Sequence, residues 1–156
     1  FLSCAGDRHR DLVLRCFDLP AVASQAAAIL DERGLADRSR CIGGDFFTDT
    51  FPPADIITLI RIVCDHDDPD ALRLLANIRR QMRRGDRLLI AEAMPGSSRG
   101  SRLAGTYFSL YFLAMGSGRS RTAQEIGALL RRSGFSDWQF RPTRMPLLAG
   151  IVVATA

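Results

Sequence analysis

The sequence predicts an α/β fold built on a mostly parallel sheet with helices on both faces. Short apolar runs of strand length alternate with longer segments of helical period along the chain. The run at 54–63 is nearly all apolar, which is typical of a strand buried on both faces. Strands that are separated by helices favour parallel pairing. The last two strands have only a short connection between them, so we expect an antiparallel hairpin at the C-terminus.

The predicted elements alternate in a regular order. Strands are expected at 12–17, 38–42, 54–63, 87–91, 138–141 and 148–154. The starts of the expected helices are marked by Pro20, by Pro69 after a cap at Asp67 or Asp68, by Leu103, and by the cap Thr122. The ends of the same helices are marked by Gly34, Gly85, Met115 and Gly134. A Gly/Ser/Pro loop at 95–100 precedes the aromatic-rich third helix.

The composition indicates one globular domain over residues 1–156. With 47% hydrophobic residues, the chain is long enough to bury a sizeable core. No apolar run reaches the length of a membrane span, and the N-terminus lacks the features of a signal peptide. We therefore expect a soluble, cytoplasmic protein, and we leave open its association with a membrane surface.

Charge and cysteine usage argue against several kinds of partner. All 21 basic residues are arginine, and the net charge is only +4. An arginine cluster at 73–84 has no aromatic residues between its members, so it favours a solvated face and no nucleic-acid partner. The four cysteines have no C-x-x-C spacing, which fits free thiols and indicates neither a metal site nor a disulfide framework. They are Cys4, Cys16, Cys41 and Cys64.

Two segments carry a resemblance to a known family. Residues 43–47 read Gly-Gly-Asp-Phe-Phe, and residues 61–68 read Arg-Ile-Val-Cys-Asp-His-Asp-Asp. Together they resemble class I methyltransferases that use S-adenosylmethionine. More narrowly, they resemble small-molecule O-methyltransferases related to plant caffeate O-methyltransferases, which carry Gly-Gly-Asp-Phe/Met-Phe and then Arg-Val-Leu-His-Asp-Trp-x-Asp. The resemblance implies a Rossmann-like class I methyltransferase fold with S-adenosylmethionine as cofactor.

The C-terminal half of the chain resembles one particular branch of this family. Residues 107–122 and 141–147 are similar to the bacterial hydroxyneurosporene (carotenoid 1-hydroxyl) O-methyltransferases. His66, which stands in place of the tryptophan of the wider family, fits the same branch. This resemblance implies a small apolar acceptor, a hydroxylated carotenoid. A phenolic, polyketide or tetrapyrrole acceptor is the alternative, and so is an inactive homologue that only binds the cofactor.

The resemblance also implies that part of the fold lies outside this chain. In the family the first strand ends in a Gly-x-Gly-x-Gly turn, and neither that strand nor that turn precedes Leu12. We expect the chain to be an N-terminally truncated C-terminal portion, whose first strand would lie between the strands that begin at Leu12 and Ala54. The family's dimerisation region would precede it, and the full-length protein is expected to be a homodimer.

The cofactor residues are expected at the ends of the early strands. An acidic residue at the tip of the second strand of this fold accepts hydrogen bonds from a ribose, and Asp18 has that position. The alternative role of Asp18 is to cap the helix that begins at Pro20. In the resemblance, Asp45 accepts from adenine and Phe46 covers its face. The complete set expected at the cofactor is Asp18, Leu19, Gly44, Asp45, Phe46 and Arg61.

The catalytic residues depart from the family pattern. Cys64 stands where the family has its catalytic histidine, and a cysteine acts as a base only when it is a thiolate. His66 is the other candidate base, with a structural role as its alternative. The two carboxylates that orient the family's histidine match Glu92 and Ser120, so one is absent. We expect His66 held by Asp65 or Glu92, or else catalysis by proximity and desolvation.

The third helix carries the candidate acceptor site. Tyr107, Tyr111 and Met115 recur at helical spacing and are expected to line an apolar channel, although core packing explains the same spacing for at least half of the apolar residues there. Arg119 and Arg121 follow two glycines. They either stabilise a loop or bind the carboxylate of the cofactor.

Overall fold

A computed structural model describes residues 1–96, 99–146 and 148–156 of the chain. The chain divides into two compact units, which we call the N-terminal unit, Phe1–Pro52, and the C-terminal unit, Pro53–Ala156. Helices alternate with strands in both units, and most of the strand pairs connected through helices are parallel. The predicted α/β class is therefore confirmed.

The N-terminal unit is a β-α-β arrangement preceded by a short helix. Its elements are α1 (Leu2–Arg8), β1 (Leu14–Asp18), α2 (Pro20–Glu32) and β2 (Ser39–Gly43). The two strands are parallel, with Leu14 opposite Ser39 and Asp18 opposite Gly43. Leu14, Leu30 and Leu35 form the core of this unit. Because paired parallel strands end at the same edge of a sheet, the predicted ribose residue and the predicted glycine turn are neighbours.

Helix α1 has no counterpart in the sequence prediction. It is a short segment without an apolar stripe, so periodicity gives no signal for it. A distant side chain holds its C-terminal end, because the Arg38 guanidinium donates to the carbonyls of Gly6, His9 and Leu12. Tertiary contacts of this kind stabilise helices that are too short to form alone.

The C-terminal unit is a four-stranded sheet with helices packed against it. Its elements are β3 (Ile56–Ile60), α3 (Asp68–Gln81), β4 (Arg87–Glu92), α4 (Arg99–Met115), α5 (Ala123–Arg132), β5 (Asp137–Arg141) and β6 (Gly150–Thr155). The strand order is β3-β4-β6-β5. Strands β3 and β4 are parallel, and β6 runs antiparallel to both of its neighbours. The predicted antiparallel hairpin is confirmed.

Helices α3 and α5 bury the apolar residues that their sequence patterns predict. In α3, Leu74, Leu75 and Ile78 are fully buried, and in α5, Ile126 and Leu130 are as well. The predicted cap of α5 is confirmed as a capping box. The Thr122 side chain accepts from the Glu125 backbone N–H, and the Glu125 carboxylate accepts from the Thr122 N–H.

Several boundaries differ from the prediction. Strand β3 ends at Ile60 instead of residue 63, because Val63–Asp65 forms a 3₁₀ turn. Helix α4 begins at Arg99, four residues before the predicted start at Leu103, and β6 begins at Gly150. Ser97 and Ser98 of the predicted loop, and Leu147 of the segment at 141–147, lie outside the described residues.

Each sheet has an edge strand where the sequence predicts a further strand. Among the described residues, β1 pairs with β2 alone and β3 pairs with β4 alone. The expected first strand of the fold stays a prediction.

Within the described part of the chain, no helix combines the length and the apolar character needed to cross a bilayer.

Candidate functional site

The carboxyl ends of β1 and β2 bring the predicted ribose and adenine residues together. The Gly44 N–H donates to the Asp18 carbonyl at 2.9 Å, so the strand ladder continues one residue beyond β2. Asp18 is half-buried, and the side chain of the adjacent Leu19 is 57% exposed. Of the expected cofactor residues, Asp18, Leu19 and Gly44 are thus close neighbours within the N-terminal unit.

Asp18 does not cap helix α2. The N-cap residue of α2 is Leu19, and among the described residues no side chain makes a capping hydrogen bond there. The Asp18 Oδ1 atom instead accepts from the N–H of Leu19 at 2.8 Å, which holds the carboxylate at the end of the strand. The capping alternative for Asp18 is therefore wrong, and its ribose role stays a prediction.

Gly44 is required by packing inside the N-terminal unit. A Cβ atom at this position would lie 2.5 Å from Cζ of the Phe17 ring, which is closer than real Cβ contacts. The next residue, Asp45, accepts from the Phe47 N–H at 2.8 Å through its Oδ1 atom and so closes a local turn. The Phe46 ring meets the Phe47 ring edge-on at 4.7 Å. The turn is well ordered by its own contacts, and the adenine roles of Asp45 and Phe46 stay predictions.

In the C-terminal unit, Glu92 fixes the backbone that carries Cys64. Strands β3 and β4 are parallel, so the 3₁₀ turn after β3 lies at the same edge as Glu92, the last residue of β4. The Cys64 N–H donates to Glu92 Oε1 at 2.9 Å. The two residues that the family resemblance pairs as base and carboxylate are therefore in contact here, through the backbone of Cys64.

The Cys64 thiol stays protonated at neutral pH. Burial raises its pKa to about 12, and the carboxylates of Glu92 and Asp65 act in the same direction. The thiol also contacts the Asp65 Oδ1 atom at 3.6 Å. Because only the thiolate accepts a proton, the environment of Cys64 does not suit a general base.

The Glu92 carboxyl group is strongly perturbed. The residue is 1% exposed, and this burial raises its pKa to about 7. Hydrogen bonds from the backbone of Cys64 and Val63 and the charge of Arg121 oppose that rise. Its Oε2 atom is buried and makes no hydrogen bond within the described residues. The Glu92 carboxyl group is therefore buried, has one oxygen without a hydrogen bond to any described residue, and has a pKa near neutrality. These properties fit a role in proton transfer or in orienting a base.

His66 follows the 3₁₀ turn and is half-buried. The backbone N–H of His66 donates to the Val63 carbonyl at 3.4 Å, and the backbone carbonyl of His66 accepts from the Arg121 guanidinium at 2.8 Å. The backbone position of the only candidate imidazole in this unit is therefore set by contacts on both sides. Its catalytic role stays a prediction.

Arg121 binds the whole segment that carries the candidate base. Its side chain is 0% exposed. Besides the His66 carbonyl, the guanidinium donates to the Val63 carbonyl at 2.8 Å and to Asp68 Oδ1 at 2.6 Å and 3.0 Å. Of the two roles that the sequence left open for Arg121, the structure shows loop stabilisation.

The loop at 116–121 is joined to the same segment by backbone contacts. The Arg119 N–H donates to the Cys64 carbonyl at 2.9 Å, and the Gly118 N–H donates to Asp67 Oδ1 at 3.0 Å. Gly118 has a φ of +79°, and a Cβ atom on it would overlap the Cys64 carbonyl oxygen. Only glycine satisfies both conditions. We call these contacts, together with those of Arg121, the 118–121 clamp.

The predicted cap position of α3 is confirmed at Asp67, and the clamp explains why the Asp67 side chain makes no capping hydrogen bond. Asp67 is the N-cap residue of α3, but among the described residues no side-chain hydrogen bond caps that helix. The Asp67 carboxylate instead accepts from Gly118, and Asp68 accepts from Arg119 and Arg121. The hydrogen bonds from these two arginines hold the pKa of Asp68 below its ordinary value.

Ser120 lies within the clamp, at the position where the family has its second carboxylate. Its Oγ atom is buried and has no hydrogen-bond partner in the described part of the chain. The hydroxyl therefore orients no other side chain among the residues that the structure describes.

Arg61 has an unusual backbone conformation. It has a φ of +57°, a region that non-glycine residues seldom adopt and that costs about 1–3 kcal/mol. Its N–H donates to the Ala91 carbonyl at 2.9 Å, and its guanidinium lies 4.5 Å from the centroid of the Phe108 ring. These contacts offset the strain. The expected contact of Arg61 with the cofactor stays a prediction.

Helix α4 divides its aromatic residues between the core and the surface. Phe112 is buried, whereas Tyr107 is 65% exposed, and Tyr111 and Met115 are exposed as well. The Tyr111 ring meets the Phe112 ring edge-on at 5.3 Å. The three residues predicted to line the acceptor channel therefore share the surface side of α4, apart from the core. Their contact with an acceptor stays a prediction.

Among the described residues, no three or more His, Cys, Asp or Glu side chains are grouped closely enough to hold a metal ion. The acidic residues around the clamp instead bind arginine. Asp68 accepts from Arg119 and Arg121, and Glu125 accepts from Arg119 at 2.7 Å.

Comparison with known proteins identifies close relatives. The family model for the O-methyltransferase domain matches residues 7–136. The chain is 41% identical over 155 residues to a demethylspheroidene O-methyltransferase from Cereibacter sphaeroides, in a match that spans 99% of this chain and 41% of that protein.

Two solved structures share the fold. LaPhzM matches with a TM-score of 0.88 and 31% identity over 99% of this chain and 46% of its own chain. Human N-acetylserotonin methyltransferase in complex with SAM matches with a TM-score of 0.84 and 26% identity over 96% of this chain and 42% of its own. This chain thus spans less than half the length of each of these three proteins.

The raised pKa of Glu92 predicts a pH-dependent stability. Its ordinary value is 4.5 and its value in the folded protein is about 7. Between these values the folded protein keeps the proton that the unfolded chain has lost, so stability falls as pH rises, by up to about 1.4 kcal/mol per pH unit. Glu92→Gln should remove this fall, as measured by urea unfolding at a series of pH values.

Glu32→Gln, which changes an exposed carboxylate at the end of α2, is the matched control and should leave the pH dependence as in the wild type. If the stability of the wild type and of Glu92→Gln fell in parallel across this range, Glu92 would not be the group that titrates.

Proposed function

This chain belongs to the O-methyltransferase domain family, and on that basis we propose that the full-length protein transfers a methyl group from S-adenosylmethionine to a hydroxyl of a hydroxylated carotenoid. The observation that carries the proposal is the 41% identity, over 99% of the chain, to a demethylspheroidene O-methyltransferase. The resemblance to small-molecule O-methyltransferases that the sequence motifs predict is confirmed by the family match. The family match does not identify the acceptor. The carotenoid acceptor is proposed from the similarity to the demethylspheroidene O-methyltransferase.

The described residues at the ends of β1 and β2 fit the cofactor. Asp18 presents a half-buried carboxylate at a strand end, which suits the two hydroxyls of a ribose. Leu19 adds an exposed apolar side chain beside it, and the Asp45 turn adds a second carboxylate one residue after Gly44. When bound, S-adenosylmethionine supplies an electrophilic methyl group on a positively charged sulfur. In this proposal Asp18 and Asp45 bind and orient it.

The residues after β3 would handle the proton of the acceptor hydroxyl. His66 is the residue we assign as general base, because an imidazole is the side chain that most often accepts a proton in general-base catalysis. Burial of the Cys64 thiol supports this choice, since a thiol with a pKa of about 12 does not take up a proton at neutral pH. Asp65 and Glu92 would orient the turn that carries the base, Glu92 through the Cys64 N–H.

A tertiary alcohol is an acceptor that suits a site without the family's usual catalytic histidine and second carboxylate. Such an alcohol is a much weaker acid than a phenol, so its proton leaves late in the reaction and a strong early base is less necessary. Positioning and exclusion of water then supply more of the rate. The exposed apolar side chains of Tyr107, Tyr111 and Met115 would contact the long acceptor.

The direct test is methyl transfer from labelled S-adenosylmethionine. The purified full-length protein is supplied in parallel with a 1-hydroxylated carotenoid in detergent and with a phenolic acceptor. We expect the label in the carotenoid, as a methyl ether. Label in the phenol alone would contradict the acceptor but not the family chemistry. Cofactor binding without transfer to either acceptor would favour an inactive, binding-only homologue.

In the full-length protein, Asp18→Ala should weaken binding of S-adenosylmethionine. Loss of charged hydrogen bonds to a ribose costs about 1.5–3 kcal/mol, which is about a 10- to 150-fold rise in Kd. Isothermal titration measures it. Asp11→Ala, which removes an exposed carboxylate from a turn of the same unit, is the control and should bind as the wild type does. Equal affinities for the two variants would exclude the ribose role of Asp18.

His66→Ala should lower kcat by a factor of roughly 100 or more, as loss of a general base does, whereas Cys64→Ala should keep most of the activity. His9→Ala, which removes the other histidine from an exposed position, should leave kcat unchanged. A larger loss in Cys64→Ala than in His66→Ala would reverse the assignment.

A further inference from the structure

Two cysteines lie side by side in the N-terminal unit. Cys16 in β1 and Cys41 in β2 are opposite each other in the parallel ladder, so their side chains share one face of the strand pair. Each thiol is close enough to affect the pKa of the other. Both residues are half-buried free cysteines. The strand register therefore builds a dithiol from two residues that the sequence places far apart.

A cavity lies beside one of the two cysteines. Cys41 lines a cavity of about 340 Å³ between α2 and β2. Most of the lining side chains are small, so they leave room beside the Cys41 sulfur atom. They are Ala27, Ala28, Asp31, Ala36 and Ser39.

The spacing of the strands favours a bridged dithiol over a disulfide. Neighbouring strands lie about 4.8 Å apart, whereas the Cβ atoms of a disulfide are about 3.8 Å apart. A direct S–S bond between Cys16 and Cys41 would therefore pull the ladder together. An atom placed between the two sulfurs adds a bond on each side, so it spans the pair without moving the strands.

The protonation state of the two thiols determines which kind of atom can join the two sulfurs. Burial raises the pKa of the Cys16 thiol to about 11 and also raises the pKa of the Cys41 thiol. Soft metal cations bind thiolates and must first displace these protons, which is unfavourable here. An oxide or hydroxide of trivalent arsenic carries its own oxygen, which takes up the protons and leaves as water.

We propose that Cys16 and Cys41 form a bidentate binding site for trivalent arsenic oxides and hydroxides. With an aryl arsenic oxide, two As–S bonds form and the As–O bond breaks. The oxygen leaves with both thiol protons as one water molecule, and no atom changes its oxidation state. The site is independent of the proposed methyl transfer, because it uses none of the residues assigned to that reaction.

The probe is phenylarsine oxide, added in equimolar amount to the reduced protein. Intact mass spectrometry should show one adduct per chain, formed with loss of one water and removed by excess 1,2-ethanedithiol. Alkylation followed by peptide mapping should show Cys16 and Cys41 protected together while the exposed Cys4 stays reactive. This readout on the wild type does not depend on how well any variant folds.

Variants identify the two sulfurs. Cys16→Ser and Cys41→Ser should each lose the adduct, whereas Cys4→Ser and Cys64→Ser should keep it, with circular dichroism as the check on folding. The proposal is overturned if the folded wild type takes up no probe or if either of the first two variants retains the adduct. A Cys16–Cys41 disulfide in the protein as purified would equally overturn it.

Discussion

The burial of one charged side chain, that of Arg121, is the constraint on which the candidate site depends. A guanidinium group with no solvent exposure is costly unless its donors are paired. Its partners are the carbonyls of Val63 and His66 and the carboxylate of Asp68. All three lie on the segment that follows β3, so this segment cannot shift without leaving the buried charge unpaired. Glu92 also holds the same segment, through the Cys64 N–H.

Much of the fold could be predicted because local chemistry and tertiary structure agree. The apolar periods of α3 and α5 correspond to their buried faces, and the Thr122 capping box marks the start of α5 in the sequence as in the structure. The prediction failed where a distant contact decides the local conformation. Helix α1 depends on Arg38, and the 3₁₀ turn after β3 depends on Arg121 and Glu92, so apolar periodicity carries no signal for either.

The candidate site could be predicted in part. The end of a parallel strand is a position that sequence can identify, and Asp18 lies there. Arg121 was more difficult, because its partners are more than fifty residues earlier in the chain. The sequence does hold one indication of this loop, because a glycine stands at position 118, just before the two arginines. The structure explains this glycine by its positive φ. The pKa of Glu92 near neutrality could not be predicted at all, because burial is its main cause.

The most direct test of the clamp is the free energy of unfolding of Arg121→Met beside that of Arg119→Met, measured by urea denaturation. Both arginines bind Asp68, but Arg119 is 44% exposed and Arg121 is 0% exposed. We expect Arg121→Met to lose about 2–4 kcal/mol, because two carbonyls and a carboxylate lose their donors, and Arg119→Met to lose less than about 1 kcal/mol. Equal, small losses in the two variants would contradict the account.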